Sequence, residues 1–163
     1  MKKALYVDTM IGTVGDGQIE ESHGGGKTYP GACVPGGMVQ LSPDTVSGGD
    51  NGSGYNYCHN TIEGFSFNHM SGIGWYGDLG NIQIMPVTED TDLRSGSNEE
   101  QPFNKGTRGW KSEFSHEKEK TRAGYYSVVL DRYKVFAEAT VSEHTGLLRF
   151  TYPENEEKKM KKY

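Results

Sequence analysis

Y-Y-S-V-V-L-D-R-Y-K-V-F-A-E-A-T-V-S-E-H-T-G-L-L-R-F-T-Y, residues 125–152, is the stretch that decides the fold. Its apolar side chains recur at every second position. Tyr126, Val128 and Leu130 fall on one face, as do Val135, Ala137, Ala139 and Val141, and then Leu148, Phe150 and Tyr152, with mostly polar residues opposite. A period of two is the pattern of a strand with one buried side, so the stretch predicts an antiparallel meander with one wet face. Just upstream, W-K-S-E-F-S-H (110–116) reads as a further strand and E-K-E-K-T-R-A-G (117–124) as a charged turn.

Further from this stretch the signals are shorter. Met38–Leu41 and Gly64–His69 have the length of strands, and N-I-Q-I-M-P-V (81–87) reads as a core strand on Ile82, Ile84 and Val87, with a slip at Met85. Val7 to Ile11 is a brief apolar segment. G-D-G-Q-I-E-E-S-H-G-G-G-K (15–27) and the polar run from Glu89 to Thr107 read as surface loops. Before residue 153 no apolar pattern holds helical spacing over three turns, which argues against a helical bundle or a doubly wound α/β fold. The chain therefore reads as all-β, antiparallel and sandwich-like, with long Gly-rich loops.

Composition bounds the function. At 163 residues the chain suits one domain, placed at 1–153, with 154–163 a charged tail read as disordered or as a truncation scar. Hydrophobic content of 33% and a mean hydropathy of −0.72 are low, but 11% aromatics and 23 glycines argue against disorder. The net charge of −5 leaves no basic stripe for nucleic acid, the one lysine cluster being Lys158–Lys162. No apolar run has the length of a signal peptide or a membrane span, although a chain that starts after a removed signal reads the same way. Cys33 and Cys58 can pair in an oxidising compartment or stay as buried free thiols.

The segment from Tyr29 to Pro86 mixes glycines, aromatics and short polar groups with hardly a lysine. That mixture suits a sugar-binding surface, with Tyr55, Tyr57, Trp75 and Tyr76 offering flat faces with polar tips; the same glycines also serve a β domain that simply needs turns. His69, where a strand gives way to S-G-I-G, is expected to bond a hydroxyl or join a metal site near Asp50 and Asp78, or else to cap the loop by bonding a backbone carbonyl. Asp44 in S-P-D-T reads as a turn residue bonding its own backbone. G-G-D-N-G-S-G-Y-N (48–56) does not match EF-hand spacing, and the five histidines form no zinc pair, so no metal ligand is assigned. No G-x-S-x-G elbow is present, and 22 acidic residues leave no way to choose a glycosidase pair, so no catalytic residue is nominated.

V-D-T-M-I-G-T (7–13), T-Y-P-G-A-C-V-P-G-G-M-V-Q-L-S-P-D-T (28–45), S-G-Y-N-Y (53–57), G-F-S-F-N-H-M-S-G-I-G (64–74), G-D-L-G-N-I-Q-I-M-P (77–86), F-S-H-E-K-E-K-T-R-A-G-Y-Y-S-V-V-L-D (114–131) and R-F-T-Y-P (149–153) follow in order. Together they resemble the N-terminal domain of glycoside hydrolase family 92, whose members are calcium-dependent, inverting exo-α-mannosidases acting on mannose-containing N-glycans, often periplasmic or secreted. The resemblance implies an antiparallel β-supersandwich. It also implies that a helical C-terminal domain carries the catalytic acid and base and most of the calcium site, so that calcium is not held by this domain alone. The positions matching the family's mannose-contacting loops are Asp50, His69, Ser71, Gly72 and Gly74, and Trp75 adjoins them. The chain departs from the family pattern where V-P-F-G-M is V-P-G-G-M and where W-D-x-C-S-G-Y is G-D-N-G-S-G-Y.

These readings give the expected function. The chain contributes mannose-binding loops to an active site completed by a C-terminal domain, and its partners are mannose-containing glycans, that domain and, without it, a second copy. A free-standing carbohydrate-binding module and a structural remnant are the alternatives.

Overall fold

The computed structural model describes residues 3–13, 27–45, 53–72, 80–92 and 109–154. Among them there is no α-helix, and no helix long and apolar enough to cross a membrane; regular structure is antiparallel strand, with 3₁₀ turns at Lys3–Tyr6 and His116–Lys118. The strands are β1 (Ser42–Asp44), β2 (Thr61–Ile62), β3 (Gly64–Ser66), β4 (Ser112–Glu113), β5 (Lys120–Arg122), β6 (Tyr125–Leu130), β7 (Val135–Val141) and β8 (Gly146–Thr151). They form a four-stranded sheet in the order β5-β6-β7-β8 and two small pairs, β1-β3 and β2-β4.

The large sheet is the expected meander. Tyr126 sits opposite Ala139 and Ala139 opposite Leu148, while Val128 sits opposite Ala137 and Ala137 opposite Phe150, so the inward residues of β6, β7 and β8 form rows across the sheet. Small alanines in the middle strand leave room above them. Phe65 of β3 fills that space, its ring 6.4 Å from Tyr126 and 6.0 Å from Phe150. Leu41, Ile62, Phe114, Leu130, Tyr133 and Val135 complete one core between the sheet and the two small pairs. Each fully buried Val, Leu or Phe contributes about 1.5–3 kcal/mol relative to an exposed one, so this layer carries most of the fold's stability.

Local chemistry closes the hairpins. Gly124 takes φ +74° in the β5–β6 turn, and Ser142 N–H donates to the Thr145 carbonyl between β7 and β8. Between β6 and β7, Arg132 fastens the turn, its Nη1 donating to the Gly109 and Lys111 carbonyls and its Nε to Glu89.

Four local expectations are corrected. The charged run expected as a turn contains β5, because an edge strand tolerates Lys120 and Arg122 facing water and is protected by them against stray pairing. The segment 81–87 contributes a single bridge, Phe65 to Ile84. Ile82 sits at φ +57° and is 75% exposed, and it is Met85, the apparent slip, that packs against the core. Leu41 makes only an isolated bridge with Ala32, while the strand proper begins at Ser42 and includes Pro43, which an unpaired strand side accommodates. Both cysteines are exposed and free rather than buried.

Candidate functional site

Asp44 ends β1 and His69 follows β3 by three residues, and the β1–β3 pairing places them side by side. His69 Nε2 lies 2.7 Å from Asp44 Oδ1, with the two side chains 1% and 0% exposed. The other ring nitrogen, Nδ1, lies 2.8 Å from the Gln40 carbonyl oxygen. That oxygen can only accept, so Nδ1 carries a proton, and Nε2 shares one with the carboxylate. Asp44 Oδ2 accepts from Ser66 Oγ and, at 2.9 Å, from Gln83 Nε2. A buried carboxylate is costly unless its oxygens are filled, and here three donors fill them.

Backbone bonds tie neighbouring stretches to this pair. Thr45 N–H donates to the Gly54 carbonyl and Glu63 N–H to the Asp44 carbonyl. Gly54, at φ +68°, passes so close that a Cβ there would meet Asp44 Oδ1 at 2.7 Å and His69 Cδ2 at 3.1 Å, so the site requires glycine. Gly72 N–H donates to the Lys27 carbonyl, and Gly80 N–H to the Asn68 carbonyl. Tyr29 leans on the His69 ring at 5.5 Å; its own burial, then the neighbouring Cys33, push its phenol up to about 12. Beside Gln83 a cavity of about 250 Å³ opens between Met85, Val87, Thr91 and Trp110.

A second polar cluster centres on Glu119. Its carboxylate accepts from Tyr55 Oη, Tyr126 Oη and His116 Nδ1, and the Tyr57 ring stacks on His116 with centroids 3.9 Å apart. Burial first, and the Glu119 charge second, raise the Tyr55 and Tyr126 phenols well above the ordinary tyrosine range.

The expected site residues divide accordingly. His69 is buried with both nitrogens engaged, and one of its bonds is the backbone carbonyl bond foreseen for a loop cap. Ser71 and Gly72 follow it at the exposed surface. Asp50, Gly74 and Trp75, with Tyr76 and Asp78, lie outside the described residues. Tyr55 is buried and spends its hydroxyl on Glu119, while Tyr57 is 38% exposed and has one face covered by His116.

The sequence reading missed the partners. Asp44 does not bond its own backbone, since its carboxylate takes His69, Ser66 and Gln83 instead. Glu119 was hidden in a charged run, and the aromatic residues that bury it lie at positions 55 and 126. For calcium, the described residues hold no group of three or more His, Cys, Asp or Glu side chains arranged for a cation, and the Asp44 oxygens are already taken.

The profile of the glycosyl hydrolase family 92 N-terminal domain matches residues 6–161. An uncharacterized secreted glycosidase of Arthroderma benhamiae is 32% identical over 151 residues, covering 92% of this chain and 17% of that protein. The family 92 α-mannosidase of Bacteroides thetaiotaomicron solved with mannoimidazole superposes with a TM-score of 0.79 at 40% identity, over 94% of this chain and 18% of that one. A family 92 inverting mannosidase from the same species, at 24% identity and a TM-score of 0.59, shares the fold. The chain thus spans under a fifth of the length of these relatives. With the all-β architecture and an in-order match along nearly its whole length, this chain belongs to glycoside hydrolase family 92 and carries that family's N-terminal domain.

Proposed function

We propose that this chain builds one wall of the mannose pocket of an α-mannosidase. The observation that carries the reading is the 40% identity over 94% of the chain to an α-mannosidase solved with mannoimidazole. In this reading Ser71 and Gly72 face the sugar together with Asp50, Gly74 and Trp75, while His69 backs them from the interior. The glycans it serves are mannose-containing N-glycans.

An inverting hydrolysis needs one carboxylic acid to protonate the leaving oxygen and one carboxylate to activate water on the opposite face of the ring. No residue of this chain is assigned either role. Both, and the calcium that the family resemblance implies, belong in this reading to a C-terminal domain. The chain alone binds sugar weakly and does not hydrolyse it.

The test is an NMR titration of the 163-residue protein with α-1,2-mannobiose and calcium, following protein amides and the sugar's anomeric signals together. Amide shifts confined to Ser71, Gly72 and the residues around Asp50 and Trp75, with no new anomer, support the wall. Release of β-mannose means that a complete active site exists in this chain. Silence in both channels sinks the reading and leaves a structural remnant. Saturable binding with the shifts at Tyr57 instead identifies a free-standing binding module.

A further inference from the structure

We infer that Asp44 and His69 are positioning residues for the sugar wall: the buried pair sets the spacing between the backbone at Gly54 and the backbone at Ser71–Gly72, and neither side chain touches the sugar. The inference rests on the reading of the site as a mannose-pocket wall. It departs from the expectation that His69 is itself a sugar contact.

The His69 ring is closed off from solvent, its side chain 1% exposed. His69 has no free nitrogen, because Nδ1 is held by the Gln40 carbonyl and Nε2 by Asp44. A sugar hydroxyl could reach it only by breaking one of two bonds inside the protein, and leaving a buried polar group unpaired is costly. What the ring does instead is join segments. Asp44 lies against Gly54, whose carbonyl holds Thr45 N–H at one end of the stretch that contains Asp50. His69 stands two and three residues before Ser71 and Gly72, at the start of the stretch that contains Gly74 and Trp75. Gln83, three residues after Gly80, donates to the same carboxylate. One carboxylate and one imidazole therefore fasten Gly54, the backbone leading into Ser71 and Gly72, and Gln83 to the end of β1. An error of about 1 Å in such a spacing is enough to spoil a preorganised site.

The two bonds of His69 can be separated chemically. The side-chain amide nitrogen of asparagine hangs from the γ carbon, as Nδ1 does, and that of glutamine from the δ carbon, as Nε2 does. His69→Asn therefore keeps the bond to Gln40 and loses the bond to Asp44, whereas His69→Gln keeps the bond to Asp44. Asp44 retains Ser66 and Gln83 in both, so neither variant leaves the carboxylate bare.

The experiment compares wild type, His69→Gln and His69→Asn by the α-1,2-mannobiose titration and by amide hydrogen exchange at Thr45 and Gly72, with β6 and β7 amides as a control for global stability. His69→Gln is expected to bind within a few fold of wild type, and His69→Asn about tenfold more weakly, with about tenfold faster exchange at Thr45 and Gly72 and unchanged exchange in β6 and β7. Equal affinity in the two variants overturns the inference. So does a loss in His69→Asn matched by equally faster exchange in β6 and β7, since that reports a merely structural bond. If wild type shows no response to the sugar, the wall reading fails and takes the positioning role with it, while the exchange pattern still reports whether the pair fastens the backbone at Thr45 and Gly72.

Discussion

The Tyr126 phenol donates to Glu119 Oε1 across 2.6 Å, in a place where the Tyr126 side chain is fully buried and the Glu119 side chain is 3% exposed. Tyr55 Oη sits 3.0 Å from both oxygens of the same carboxylate, and His116 Nδ1 lies 2.7 Å from Oε2. One acidic side chain thus holds together β6, the segment after Gly54 and the 3₁₀ turn before β5.

Removing that acceptor strands its donors. Glu119→Ala is expected to cost about 1–3 kcal/mol for each buried group left unpaired, more than Tyr55→Phe or Tyr126→Phe alone. Urea unfolding of the three variants measures it. A loss below about 0.5 kcal/mol in Glu119→Ala would mean that water replaces the carboxylate freely.

Stability should fall in alkali as the pH rises above about 10. Burial, then Cys33, raises Tyr29 from 10.0 to about 12, so the folded protein keeps this proton where the unfolded chain has released it. The contribution is intact below about pH 10 and is lost as pH rises from there through about 12. Tyr55 and Tyr126 are shifted in the same direction and extend the decline. Denaturant midpoints between pH 9 and 12 test this, and Tyr29→Phe should flatten the slope above about pH 10. An unchanged slope in that variant refutes the assignment.

Two glycines should not tolerate alanine, for different reasons. At Gly54 the backbone is left-handed and the new methyl would meet Asp44 Oδ1 at 2.7 Å; at Gly31 it would sit 2.2 Å from the Leu41 carbonyl oxygen. Left-handed backbone costs about 1–2 kcal/mol without glycine, and overpacking about 1–3 kcal/mol. Thermal melts should place both variants below wild type. Gly54→Ala should also perturb the His69 ring signals, which Gly31→Ala leaves in place.

Ile82, Ile84 and Val87 are 75%, 38% and 41% exposed on one short segment. Clustered apolar exposure of this kind favours association, so the isolated chain is expected to self-associate as its concentration rises. Light scattering after size-exclusion chromatography decides it, and a single monomeric species across the accessible range sinks the expectation.

The meander was legible because strand periodicity is local: Tyr126, Val128 and Leu130 announce their shared face within five residues. The segment 81–87 was not, because two apolar residues at alternate positions look the same whether they face the core or water. There the turn at Ile82 decided, turning Ile84 outward and Met85 inward. The charged run hid β5 for a related reason, since an edge strand needs no apolar face when its neighbour supplies one.

The sequence by itself determined the family, because the motifs are contiguous and their order survives along the chain. It also pointed to His69. Only the tertiary structure decided what His69 bonds, since Asp44 is 25 residues away and Gln40 29, and nothing in local spacing says that the β1–β3 register will bring them together. The same holds for Glu119 and Tyr55, 64 residues apart. Pairing between distant polar groups is settled by which strands share a ladder and which volume is left dry, and those are properties of the packed chain rather than of any segment of it.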